Sequence, residues 1–287
     1  MRTIVTALPI GALYSLLAAS IVVIYRATRV INFAVGESVV LLAYVFVALY
    51  AVSAPVAFVG TLLIGLAVGI VLYWAFIRPT TGEGPVVGVL ITVGISIILR
   101  SAITWAFGGN IKLSPKIDEL IGMVDLGGPV GVVRKVDILL IVVMIVTLMA
   151  LGLIFTKTKL GRQMRAVAER PLLAAQRRVN VQSVGLWAWG LAFLVASIAG
   201  ITNSFRVSVS LPLAAIGIGG ISAALIGGLD SLRGAVVGGL LLAFVEVLAV
   251  QTFNPRAAQA VPAVVLLTVL TIRPWGLFGT EEDLERL

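Results

Sequence analysis

The chain has 287 residues, 60% of them hydrophobic and 12% charged, against roughly 45–50% and about 25% in soluble globular domains. Neither cysteine nor histidine occurs, which excludes disulfide frameworks, thiolate or imidazole metal sites, Ser-His triads and histidine proton relays. The formal net charge of +8 is scattered over short segments between apolar runs, which is the pattern of a positive-inside bias and not of a nucleic-acid footprint.

Uncharged runs recur along the whole chain, and a spanning helix needs about 20 mostly apolar residues. Their patterning lacks the strict alternation of a β-barrel. The expected class is therefore all-α, a polytopic integral membrane protein with about 8–9 transmembrane helices in one domain, 1–287. In chain order the spans fall near 4–24, 37–52, 55–77, 86–107, 136–156, 181–203, 211–229, 234–252 and 257–272. The first begins like a secretory leader, with Arg2 ahead of an apolar stretch and small residues at Ala18, Ala19 and Ser20. It continues without a break to Arg26 and Arg29, so it is expected to stay as a span. Ser53 and Pro55 divide the second span from the third. The seventh, LPLAAIGIGGISAALIGG, holds five glycines, each costing about 1 kcal/mol in a helix interior, so a broken or re-entrant segment is expected there.

Arg26, Arg29, Arg78, Arg233, Arg273 and the segment 156–180 fall on one side of this arrangement. That side is expected to be cytoplasmic, together with the tail 273–287, and the amino terminus external. The opposite loop, 108–135, sets Lys112, Lys116, Arg134 and Lys135 against Asp118, Glu119 and Asp125.

The segment 156–180, TKTKLGRQMRAVAERPLLAAQRRVN, carries seven cations and one carboxylate and is longer than a helix-to-helix turn requires. Pro171 suits the first turn of a short helix. Leu172, Leu173, Ala175 and Val179 would give that helix an apolar side, and Gln176, Arg177 and Arg178 a polar one. Such a helix either docks in a groove of a partner or lies on anionic lipid; otherwise the loop only fixes topology.

Polar residues are scarce elsewhere. Asn32 and Glu37 sit in INFAVGE at a membrane boundary, where they either cap the second span and complement its dipole or take part in transport. Glu246 and Arg100 lie within spans and need partners or an interface, each other included. Gly217, Gly219 and Gly220, with the later pairs Gly227–Gly228 and Gly238–Gly239, allow close helix packing or exposed backbone that could hold a zwitterion. No G-x-x-x-x-G-K-[ST] sequence occurs, so nucleotide hydrolysis would need another chain. No catalytic or metal-ligating set is expected.

The run AERPLLAAQRRVNVQSV at 168–184, with TKLGRQMRA before it and LAFLVASIAG after, resembles the permease subunits of branched-chain amino acid ABC importers, of the smaller type. INFAVGE at 31–37, IGGLDSLRGAVVGGLLLAFVE at 226–246 and the ending IRPWGLFG at 272–279 match in the same order. The resemblance implies the ABC-importer permease fold, multi-pass in the bacterial plasma (inner) membrane. It implies cytoplasmic ATP-binding cassette subunits that hold ATP and Mg, a second permease subunit, an extracytoplasmic substrate-binding protein and surrounding lipid. It also implies that no cofactor is bound by this chain and no nucleic acid. The coupling role would fall on Arg165, Glu169, Pro171, Leu172, Leu173, Ala175, Arg177, Arg178 and Asn180, and the translocation path on Asn32, Glu37, Gly217, Gly219, Gly220 and Glu246. Branched-chain or related hydrophobic amino acids are the expected cargo. Urea, short amides or other small acids are the alternative, and an ion-coupled secondary transporter is the rival that would need more mid-membrane carboxylates than Glu246. Two residues depart from the family pattern: Val35 replaces a histidine, and Arg178 stands where a helix-ending glycine is expected.

Overall fold

The computed structural model describes residues 2–113, 122–125, 132–169, 171–253, 260–273 and 275–279. Helices occupy every segment expected to cross: α1 (Arg2–Thr28), α2 (Val35–Tyr50), α3 (Ala54–Leu72), α4 (Pro85–Phe107), α5 (Lys135–Lys157), α8 (Val181–Ser204), α9 (Ile216–Gly227), α10 (Leu232–Thr252) and α11 (Val261–Ile272). Between α5 and α8 lie two further helices, α6 (Lys159–Glu169) and α7 (Pro171–Gln176). Six segments, Thr3–Thr28, Ala54–Thr80, Val86–Phe107, Lys135–Lys157, Val181–Ser204 and Leu232–Thr252, are long and apolar enough to cross a membrane. Val35–Tyr50, Leu211–Gly227 and Val261–Ile272 are shorter apolar helices.

Local sequence explains the boundaries. Ser53 caps α3 by accepting from the Val56 amide, with Pro55 in the first turn where a missing N–H costs nothing. Asn180 and Ser231 cap α8 and α10 in the same way. Gly108 closes α4 in the left-handed conformation, φ 71°, which a residue without Cβ adopts freely. Beyond Leu72, α3 continues as a π-turn, Tyr73–Ile77, and a 3₁₀ turn, Arg78–Thr80.

The core is built around α1. Leu16, Leu17, Ala18, Ala19, Ile21, Val22 and Val23 are all fully buried, as a helix apolar on every side must be. Its hydrophobic window is 89% buried within the chain, against 28% for α4 and for α5. Helices α10, α8, α9 and α5 surround it. Small residues set the spacing: a Cβ at Gly239 would lie 2.5 Å from the Ser15 backbone nitrogen, and one at Gly219 would lie 2.4 Å from the Tyr14 ring.

The seventh expected span is broken only at its entry. A 3₁₀ turn, Leu211–Ala215, leads into α9, which is continuous to Gly227. The long loop after α4 holds a feature that an all-helical reading omits, the antiparallel hairpin of β1 (Met123–Asp125) and β2 (Val132–Arg134), with Val124 opposite Val133. Lys116, Asp118 and Glu119 of that loop and the tail from 280 onward lie outside the described residues.

Candidate coupling site

The basic segment folds as a joint. Thr158 starts α6: its hydroxyl donates to the Ile154 carbonyl at 2.6 Å and accepts from the Gly161 amide at 3.1 Å. Gly161, Met164 and Val167 recur every three residues and are all buried, so α6 lays one stripe on the bundle and leaves Lys159, Arg162 and Glu169 exposed. At Gly161 a Cβ would lie 2.3 Å from the Ile154 carbonyl oxygen, too near for any side chain, which explains the glycine. Arg165 donates to the Phe155 carbonyl of α5. That bond fastens α6 to the end of α5.

Helix α7 is one short turn. Ala174 is buried, whereas Leu173 is 47% exposed and Ala175, Gln176, Arg177 and Arg178 face outward. Ala174, not Ala175, therefore faces the bundle. Arg170 and the side chains of Pro171 and Leu172 lie outside the described residues. Arg178 adopts φ 60°, and its amide reaches the Ala175 carbonyl at 3.0 Å while the Val179 amide reaches Ala174 at 3.0 Å. This is the left-handed helix ending that a glycine usually makes, so the arginine leaves the turn's shape unchanged. Asn180 then accepts from the Ser183 amide at 3.0 Å and starts α8.

Two arginines at the end of α1 wire the core helix to this joint. Sequence reasoning used them only to orient the chain. Arg29 donates to the Ala168 carbonyl, the penultimate residue of α6, at 2.6 Å, and its guanidinium sits 5.3 Å over the Tyr25 ring. Its backbone, at φ 54°, turns the chain out of α1 while its amide still bonds the Tyr25 carbonyl at 2.8 Å. Arg26 donates to the Asp230 carbonyl in the α9–α10 turn at 2.7 Å and lies 5.4 Å from the Phe155 ring at the end of α5. The signal available in the sequence was a pair of cations three residues apart, closing a span that is uncharged from Thr3 to Tyr25.

The α9–α10 turn is held from its other side by the ending IRPWGLFG. The Leu277 and Phe278 amides donate to the Ile226 and Gly227 carbonyls at 2.8 and 3.0 Å, satisfying groups that the end of α9 leaves open. Gly276 and Gly228, at φ 80° and 101°, permit the approach; a Cβ on Gly276 would lie 2.5 Å from the Leu225 carbonyl oxygen.

The residues expected along a path divide into two groups. Gly217 meets Gly36, the neighbour of Glu37, backbone to backbone, and Gly219 meets Tyr14, whose hydroxyl donates to Glu246 Oε2 at 2.9 Å. The glycines are thus filled by close packing and expose no unwound backbone. Tyr14 is the partner that sequence reasoning missed; it is a lone hydroxyl-bearing ring in α1's apolar middle. Glu246 and Arg100 form no ion pair with each other; Glu246 is bonded to Tyr14, and Arg100 is exposed. Asn32 stands apart, buried in the turn before α2, where its side chain accepts from the Ala34 amide at 3.0 Å. Thr92 of α4 braces that turn through the Ile31 carbonyl and the Phe33 amide.

At the opposite end, Asp137 joins Arg206 at 2.9 Å and Arg134 at 3.1 Å, while Lys112 and Val209 exchange backbone bonds at 2.9 Å. Among the described residues no group of three or more acidic residues could hold a metal ion.

Comparison with known proteins agrees with this architecture. Residues 3–270 match the family model described as branched-chain amino acid transport system / permease component. The high-affinity branched-chain amino acid transport system permease protein BraD of Pseudomonas aeruginosa is 26% identical over 298 residues, covering 98% of this chain and 96% of that protein. The ribose import permease protein RbsC of Escherichia coli is 28% identical over 236 residues, covering 76% of this chain and 69% of that protein. PsaBC from Streptococcus pneumoniae in complex with Fab shares the fold, with TM-score 0.52 and 14% identity, over 95% of this chain and 91% of that one. BraD and RbsC are both permease proteins by name, and the chain belongs to the family of branched-chain amino acid transport system permease components.

Proposed function

We propose that this chain is the membrane-spanning subunit of an ATP-driven importer of branched-chain or related hydrophobic amino acids in the bacterial inner membrane. Two ATP-binding cassette subunits hold ATP and Mg and dock on α6–α7 from the cytoplasm. A second permease subunit completes the pathway, and an external binding protein delivers the cargo. The three shorter helices join the six long ones as membrane segments, which puts the amino terminus outside and the segment 156–180 inside.

The observation that carries this reading is the bond from Arg29 to Ala168. A movement forced on α6–α7 passes through it into α1, the helix that α5, α8, α9 and α10 surround. The exposed Leu173 is the apolar contact left for the ATPase. Glu37, Tyr14 and Glu246, spread over α2, α1 and α10, are the polar points nearest a path between helices. Reconstitution of the complex with its binding protein tests the reading: ATP-dependent uptake of labelled leucine, isoleucine or valine supports it. Uptake driven by an ion gradient through this chain alone refutes it.

Urea, short amides or other small acids are a second cargo class, supported by one observation: a relative that covers 76% of this chain is named for ribose import and not for amino acids. Competition by each class against labelled leucine separates the two.

A further inference from the structure

Helix α4 carries its polar residues in a row. Thr92, Ser96, Arg100 and Thr104 recur every fourth position, so they follow one side of the helix; of its polar residues only Ser101 falls off that row. The row starts inside the protein, where Thr92 is fully buried and braces the turn into α2. It ends on a surface this chain leaves open, with Arg100 and Thr104 exposed. The far flank of α4, at Ile98 and Trp105, is exposed as well but apolar. The helix thus has two open sides of different chemistry, and the apolar one suits lipid. Arg100 is the sole charged residue of α4. Its guanidinium donates no hydrogen bond and forms no ion pair among the described residues. A cation at membrane depth is costly and marks a water-filled path or a partner. Arg100 stands two turns inside the end of α4 at Phe107, and a helical side chain starts toward the amino-terminal end of its helix. Its stem therefore starts deeper into the membrane, away from the nearer interface.

We propose that Arg100 holds the carboxylate of the amino acid during its passage and that Glu37 takes the ammonium. The proposal rests on the importer reading above and names the contact that recognises the cargo. A planar guanidinium meets a carboxylate through two parallel hydrogen bonds. Glu37 lies in the first turn of α2, a helix packed against α4. It is half-buried and within electrostatic reach of Arg100, yet the two form no ion pair. Opposite charges held apart on adjoining helices complement a zwitterion, which carries the same two charges and no net charge. Ser96 and Thr104 spend their hydroxyl hydrogens on the Val93 and Arg100 carbonyls, so they offer only acceptor oxygens along the row. Because the row faces out of this chain, the cargo passes between it and the second permease subunit.

The test labels single cysteines in the reconstituted complex, with and without ATP, this chain having no cysteine of its own. Ser96→Cys should react with a charged, membrane-impermeant methanethiosulfonate, whereas Ile98→Cys, between Ser96 and Arg100 in depth but on the apolar flank, should not. Free L-leucine, raised to its solubility limit without binding protein, should slow the reaction of Ser96→Cys. Leucinol, which keeps the ammonium and side chain but lacks the carboxylate, should leave it unchanged. Protection by leucine should vanish when Arg100→Gln is added to Ser96→Cys. In ATP-driven uptake Arg100→Gln should lose about tenfold or more, the scale of a hydrogen bond to a charged group, while the ATPases still co-purify. Equal labelling of Ser96→Cys and Ile98→Cys in both conditions, no protection by leucine, or equal protection by leucine and leucinol overturns the proposal. Native uptake by Arg100→Gln overturns it too. The labelling arms need no uptake, so a native complex that fails to take up leucine counts against the importer reading alone, and the protection result still decides the site.

Discussion

The Arg29 guanidinium donates to the Ala168 carbonyl at 2.6 Å, across 139 residues of sequence, and this one bond joins the most buried helix of the bundle to its most charged loop. A charge-assisted bond of this kind contributes about 1.5–3 kcal/mol. Arg29→Ala should leave the ATPases bound but separate hydrolysis from uptake, so that ATP consumed per amino acid rises. Arg29→Gly should be equally uncoupled yet fold more stably than Arg29→Ala, because at φ 54° glycine is spared the cost of about 1–2 kcal/mol that a side chain meets in the left-handed region. Parallel measurement of hydrolysis, uptake and melting temperature checks both halves.

Arg178 supports a converse prediction. Its left-handed turn is already formed, so Arg178→Gly should raise stability by about 1 kcal/mol and preserve assembly at low salt. Arg178→Val, β-branched in the same conformation, should lower it. Hydrogen exchange of the Arg178 and Val179 amides is the direct readout.

In mid-membrane, Tyr14→Phe removes the donor to Glu246 Oε2 and leaves a half-buried carboxyl without it. The expected loss is about 0.6–2 kcal/mol, the range of side-chain bonds between membrane helices. Tyr14→Phe combined with Glu246→Leu should recover most of that loss, because the polar group then leaves with its partner. A double-mutant cycle on denaturation in bicelles measures the coupling; an additive pair would contradict the bond.

The proposed orientation is tested on this cysteine-free chain with single cysteines at Leu113 and Gln176, both exposed. An impermeant thiol reagent should reach the first from outside and the second from the cytoplasm. Labelling of both from one side would overturn the topology.

The positions of the helices were legible because hydrocarbon demands about 20 apolar residues per crossing, and Ser53 and Pro55 mark a boundary by simple rules. What composition could not separate was burial in protein from exposure to lipid, since both environments are apolar. Hydropathy does not distinguish α1 at the centre from α4 at the periphery, and α5, more apolar than either, is as little buried as α4. The segment 156–180 was read as holding a short helix from Pro171, but its division into two was not: Gly161, Met164 and Val167 mark a helix of their own, hidden within a run read as basic. Arg26 and Arg29 escaped for a different reason. Their hydrogen bonds to the backbone carbonyls of Asp230 and Ala168 use groups that any residue type supplies, so no sequence pattern could name them. Tyr14 and Glu246 stand 232 positions apart and meet only because glycines bring α9 and α10 against α1.

The central claim is that α6–α7 transmits force from the ATPases, and its apolar contact is the most direct thing to measure. Burying each leucine of the pair would contribute about 1.5–3 kcal/mol, whereas each exposed arginine adds about 0–1 kcal/mol. Leu172→Asp with Leu173→Asp should therefore release the ATPases from a normally inserted permease and abolish uptake, while Arg177→Ala with Arg178→Ala weakens assembly chiefly at high salt. Co-purification of the ATPases with the doubly aspartate-substituted permease, at native stoichiometry and with native uptake, would contradict the account.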